Sequence, residues 1–192
     1  MGNQRGFSLI ELLIVVSIIL IIAAIAIPNL LRAKISANES SAVGSIRNII
    51  TAETSYQTSY QQYGYALNLA LLGPGVGNLT CPAAGPNPTV GACLLDSNLG
   101  GSLNSTKSGY MFEATADYPQ APDPITGIVQ YVGFSTAAVP ARFNQTGVSL
   151  FCAGEDGVLR KNPNVGGGTQ GPGVSFDPWD TNCVAAPWVV LQ

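Results

Sequence analysis

Four cysteines and one acid in an unexpected place raise the first chemical questions about this chain. Histidine is absent from all 192 residues. That removes the commonest general base and the commonest metal ligand. No Ser-His-Asp triad or H-E-x-x-H site can be assembled, and no G-x-S-x-G elbow, P-loop or dinucleotide fingerprint is present, so an enzyme is not expected. Cys81, Cys93, Cys152 and Cys183 form no C-x-x-C pair. An even number of cysteines behind an N-terminal apolar segment reads as disulfides made in an oxidising compartment. Four cysteines allow three pairings. Cys81–Cys93 would close a short Pro/Gly loop, and Cys152–Cys183 would tie the C-terminal tail back. Glu155 and Asp156 read as turn acids. Asp177 and Asp180 are candidate calcium ligands alongside backbone carbonyls, although two solvated loop acids is the plainer reading. Four N-x-[ST] sequons, at Asn38, Asn78, Asn104 and Asn144, are weak signals of glycosylation. A net charge of −3 without a basic stripe argues against nucleic acid as the main partner.

The acid is Glu11, the sole charge between Phe7 and Ile27. As a helix that stretch spans about 31 Å, enough to cross the hydrocarbon core of a bilayer. It exceeds the apolar core of a secretory signal, and no A-x-A site follows, so an anchor fits better. A carboxylate at the bilayer centre costs roughly 2.5–3.5 kcal/mol, which makes an intramembrane acid a functional residue by default. A cut between Gly6 and Phe7 would create an α-amino cation one helical turn from Glu11. If the amine belonged to a neighbouring copy, the pair would fix the axial register of two otherwise featureless helices.

Beyond Pro28 the pattern turns amphipathic. Leu31, Ile35, Ala42, Ile46, Ile49, Ala52, Tyr56 and Tyr60 recur at helical spacing, while Arg32, Lys34, Asn38, Glu39, Arg47 and Glu53 are assigned to the polar faces. One long helix from Phe7 to about Tyr60 is expected, ended by Gly64, with a bend at Pro28 where a hydrogen bond is lost. The neighbouring tyrosines Tyr56, Tyr60, Tyr63 and Tyr65 read as packing residues. Leu67 to Thr106 reads as loop with short turns. The strand-like segments are "YMFEATA", "GIVQYVGFS" and "GVSLFCA", with Val158–Arg160 returning across an Asp-Gly turn and "APWVVLQ" as a further edge. This order gives an α+β fold: a long N-terminal helix packed on a small antiparallel sheet with disulfide-stapled loops.

The stretch "RGFSLIELLIVVSIILIIAAIAIPN" resembles the N-terminus of a bacterial type IV pilin over about 25 residues. It has the short leader ending in Gly6, then Phe7, Glu11, the apolar run and Pro28. The resemblance implies cleavage by a prepilin peptidase between Gly6 and Phe7, N-methylation of Phe7, and Glu11 as the assembly residue. It also implies residues 1–6 as leader, 7–63 as helix with 7–27 in the membrane or filament core, and 64–192 as an extracellular head. The implied partners are copies of this chain, the peptidase, the assembly machinery and, for the precursor, the inner membrane. The product is a surface filament for adhesion or motility, with no cofactor beyond the weak calcium candidate. One departure is Leu20, where many pilins carry glycine. Leucine is the better helix former by roughly 0.8–1 kcal/mol, so any melting before Pro28 should be shorter. A secretion-system pseudopilin and a minor pilin share the same N-terminal pattern and are the rival readings.

Overall fold

The computed structural model describes residues 8–162, 183 and 188–191. Helix α1 runs from Leu9 to Ser59, 51 residues, or roughly 76 Å at 1.5 Å per residue. Its two halves are helical for different reasons. From Leu9 to Leu31 nearly every position is apolar and unbranched or stiff at χ1, and none of the large side chains is covered. From Ala42 onward a single stripe is buried: Ala42, Ser45, Ile46, Ile49, Ala52, Glu53 and Tyr56, the i, i+3, i+4, i+7 spacing of a helix facing a core. The helix continues through Pro28, whose missing N–H leaves the carbonyl of Ala24 without its usual donor. It ends at Ser59, a turn short of Tyr63. Tyr60 still donates its N–H to Tyr56, but Tyr63 then closes a turn onto Tyr60.

Gly64 sets the path of the chain beyond α1. Its φ is +73°, and a Cβ there would collide with the carbonyl of Tyr131, to which Gly64 is joined by an isolated bridge. Only glycine accepts both conditions without strain. Two short helices lie in the stretch expected to be loop: α2 (Leu69–Leu72) and α3 (Ser97–Gly100). Each starts at a side-chain cap. Asn68 accepts from the Leu71 N–H and Asp96 from the Leu99 N–H. They are too short to show periodicity; the caps are their only legible signal.

Among the described residues the sheet has six strands: β1 (Asn104–Lys107), β2 (Tyr110–Pro119), β3 (Tyr131–Pro140), β4 (Leu150–Gly154), β5 (Arg160–Asn162) and β6 (Val189–Val190). All pairs are antiparallel and their order in space is their order in the chain. This is an α+β fold with a meander sheet against the second half of α1. β1 lies at the end of the segment assigned to loop. β5 begins two residues later than expected because the turn takes up residues 155–159, where Gly157 has φ +67° and Val158 N–H donates to Asp156 Oδ1.

The register of β2 against β3 pairs Phe112 with Ala138 and Ala114 with Thr136, and Ala138 in turn faces Phe151 on β4. These residues with Tyr110 and Ala153 form the α1-facing side. They join Ala42, Ile46, Ile49, Ala52 and Tyr56 in one core, closed below α1 by Leu69, Leu72 and Leu99. Met111, Glu113, Thr115 and Asp117 alternate onto the opposite side, as the period of two demands. The core therefore draws on α1 only from Ala42 onward. Glu53 corrects the sequence reading: it belongs to the buried stripe and not to a polar face, and none of its surface is exposed. The spacing Ile49–Glu53–Tyr56 carried that signal, outweighed by the residue type.

Candidate assembly helix and its attachment to the head

At the start of α1, Ser8 is the N-cap and Glu11 the N3 residue. Glu11 Oε2 accepts the Ser8 backbone N–H at 2.9 Å. This is the carboxylate arm of a capping box, read from S-x-x-E before an apolar run, and it places a negative charge on the positive end of the helix dipole. Sequence reasoning weighed Glu11 as a membrane anomaly and passed over this role. The geometry shows why the acid is tolerated: one of its oxygens is satisfied within its own chain. The other carries no partner among the described residues.

From Leu9 to Leu31 the helix has no polar face. Leu9, Leu20, Ile22, Ile27 and Leu30 are each about three-fifths exposed or more. Between Glu11 and Asn29 the one polar side chain is Ser17, and its hydroxyl donates to the Leu13 carbonyl four residues back, so it asks nothing of the surroundings. The helix is long and apolar enough to cross a membrane. Such a surface far exceeds the few hundred Å² of apolar patch that a water-exposed monomer carries. It requires a cover, either lipid or other helices of the same character.

The head takes hold of α1 ten residues after Pro28. Asn38 Nδ2 donates to the Thr146 carbonyl at 2.8 Å, and Ser41 Oγ donates to Ser108 Oγ at 2.9 Å. Glu39 has two duties: Oε1 accepts the Val148 N–H at 3.1 Å, and Oε2 pairs with Lys161 Nζ at 3.4 Å. Lys161 also lies 5.8 Å from the centre of the Phe151 ring. Three segments thus converge on one helical turn: the β1–β2 turn, the loop before β4, and β5. Partial burial makes this pair worth more than a solvated ion pair. Asn38 is engaged in holding the head, which argues against its use as a glycosylation acceptor.

Cys81 is bonded to Cys93 with 5.8 Å between Cα atoms, and Cys152 to Cys183 with 6.0 Å. The first closes the segment between α2 and α3. The second joins β4 to Cys183, on the sheet side away from α1, because Cys152 pairs with Ala137 and Arg160 in register. Gly6, Phe7, Asp177 and Asp180 lie outside the described residues. Among the described residues no cluster of three or more His, Cys, Asp or Glu side chains is placed to hold a metal ion. The Tyr56 and Tyr60 rings meet at 5.0 Å between centroids, tilted by 55°, and the Tyr56 hydroxyl donates to the Pro88 carbonyl at 2.7 Å. The cluster is packing: Tyr60 and Tyr63 lie against the core and Tyr65 against the Phe134 ring.

Residues 1–27 match the model of the prokaryotic N-terminal methylation motif. The chain is 43% identical over 63 residues to the type IV wide pilus major component PilA4 of Thermus thermophilus, covering 33% of this chain and 48% of that protein. It is 40% identical over 76 residues to the type IV major pilin protein PilA of Myxococcus xanthus, covering 40% of this chain and 34% of that protein. The chain thus spans less than half the length of these curated relatives. No solved structure matches it. Residues 1–27 thus carry a prokaryotic N-terminal methylation motif, and over 63 and 76 residues the chain is similar to two type IV pilins.

Proposed function

We propose that this chain is a structural subunit of a type IV pilus. It is made as an inner-membrane precursor, processed between Gly6 and Phe7 by a prepilin peptidase, N-methylated at Phe7, and stacked through residues 7–31 into an extracellular filament. The observation that carries this reading is the fully uncovered apolar half of α1 with one acid at its start. A bilayer covers that surface before assembly and neighbouring helices cover it afterwards. Exchange of lipid for helix gains little hydrophobic energy, so shape and a polar register device must choose the arrangement. Glu11 supplies that device, with one oxygen held by Ser8 and the other open to the α-amino group of a neighbouring Phe7. The head, residues 64–192, forms the outer surface, and the chain performs no catalysis.

Glu11→Ala tests the assignment. The variant should reach the membrane at normal levels and still be processed. Sheared surface filaments containing it should fall at least tenfold. Normal filament yield from that variant would remove Glu11 from assembly. A processed chain found only in the envelope, never in surface filaments, would instead place it in a periplasmic pseudopilus.

A further inference from the structure

We propose that Glu53 is a proton-held latch: its neutral carboxyl ties the turn after α1 to the helix, and ionisation frees that turn. The inference does not depend on the filament. It starts from a carboxyl with no exposed surface in the middle of the head core. Oε2 accepts the Ala66 N–H at 2.9 Å, across the turn that reverses the chain between α1 and α2. Oε1 has no hydrogen-bond partner among the described residues.

The titratable groups around it offer no compensation for a negative charge. On α1 these are Tyr56 and Tyr60, and in the turn Tyr63 and Tyr65. The Tyr56 hydroxyl is already spent on Pro88. Glu155 lies beyond Tyr65 and is acidic itself. The α1-facing sides of β3 and β4 and the whole of α2 contribute no titratable group, and β2 contributes Tyr110 alone. Lys161 on β5 is committed to Glu39, about 21 Å down the helix from Glu53. A buried carboxylate with one donor and no cation is far costlier than a neutral acid with one oxygen unpaired. The neutral form prevails in the closed head. Burial pushes the carboxyl from its ordinary 4.5 up to about 8, against the opposing pull of the Ala66 N–H.

The turn is also held elsewhere. Tyr65 N–H donates to the Tyr131 carbonyl, Tyr131 N–H to the Tyr63 carbonyl, and Gln130 Nε2 to the Gln61 carbonyl. These bonds attach the turn to β3; Glu53 is what attaches Ala66, and the start of α2 behind it, to α1. Opening that joint lets water reach the carboxyl, which then ionises at its ordinary value. Closed and open forms therefore differ in proton affinity, and the opening constant should climb with pH between the two values.

Residue-resolved amide exchange on the full chain in detergent micelles tests the latch, with rates corrected for the intrinsic base-catalysed step. The expected result is an Ala66 opening constant that rises about tenfold per pH unit between pH 5 and 7.5. The β2–β3 amides should not follow it, and Glu53→Gln, which keeps the acceptor for Ala66, should be flat. A pH-independent Ala66 opening in the unaltered chain would overturn the latch. So would a rise in step with the β2–β3 amides, or the same slope in Glu53→Gln. If the variant fails to fold, the ratio of Ala66 to β2–β3 opening in the unaltered chain decides alone.

Discussion

Glu11, Glu39 and Glu53 stand on one helix in three different surroundings, and each is held by a backbone N–H. Glu11 caps the helix that carries it. Glu39 receives Val148 and Lys161, so one partly buried carboxylate joins two segments of the head to α1. Replacing Glu39 by alanine strands the Val148 N–H and leaves Lys161 without its counter-charge. The cost should be about 1–3 kcal/mol, read as a lower unfolding midpoint of the full chain in detergent, with unchanged membrane insertion. Glu53 sets the sign of a pH dependence. Folding raises its pKa from 4.5 to about 8, so the folded chain binds this proton more tightly than the unfolded one. Its contribution is complete below about pH 4.5 and is lost as pH rises to about 8, at about 1.4 kcal/mol per pH unit. Unfolding midpoints should fall between pH 5 and 8, and Glu53→Gln should remove most of that fall. A midpoint rising over this window in the unaltered chain would contradict the assignment.

At the scale of elements, the long periodic ones were legible in the sequence and the short ones were not. The apolar run and the Ile46–Ile49–Tyr56 stripe announce α1, and β2 alternates over its first eight residues. By contrast α2, α3 and β1 have four residues apiece, and their positions depend on caps and on neighbours distant in sequence. Glu53 was misplaced because residue type was weighed above spacing, and the Ser8–Glu11 cap because the acid was weighed against lipid and a neighbouring amine rather than against the backbone N–H of Ser8. The two disulfides brace these short elements unequally. Cysteines 81 and 93 are 12 residues apart and cysteines 152 and 183 are 31 apart. Loop-closure entropy then gives about 3 and about 4 kcal/mol. Double replacement of Cys152 and Cys183 by alanine should lower stability in urea more than replacement of Cys81 and Cys93. The opposite order would show that native packing around α2 and α3, rather than the unfolded chain, governs the effect.

Taken whole, the molecule keeps its cohesion and its adhesion apart. The head core begins at Ala42, while the uncovered apolar surface ends at Leu31. Between them lie about ten residues of helix, roughly three turns, and Pro28 sits just before that interval. Removal of residues 1–31 should therefore yield a water-soluble monomer with the sheet intact, judged by sedimentation and by circular dichroism. A truncated chain that still aggregates would put the association surface in the head. The filament reading depends on both halves acting in one processed chain. Its most direct test is intact mass with N-terminal peptide mass, measured on sheared and purified surface filaments. The expected species begins at N-methylated Phe7 and lacks the four protons of its reduced cysteines. Filaments without this chain, or a mature chain still beginning at Met1, would contradict the assignment.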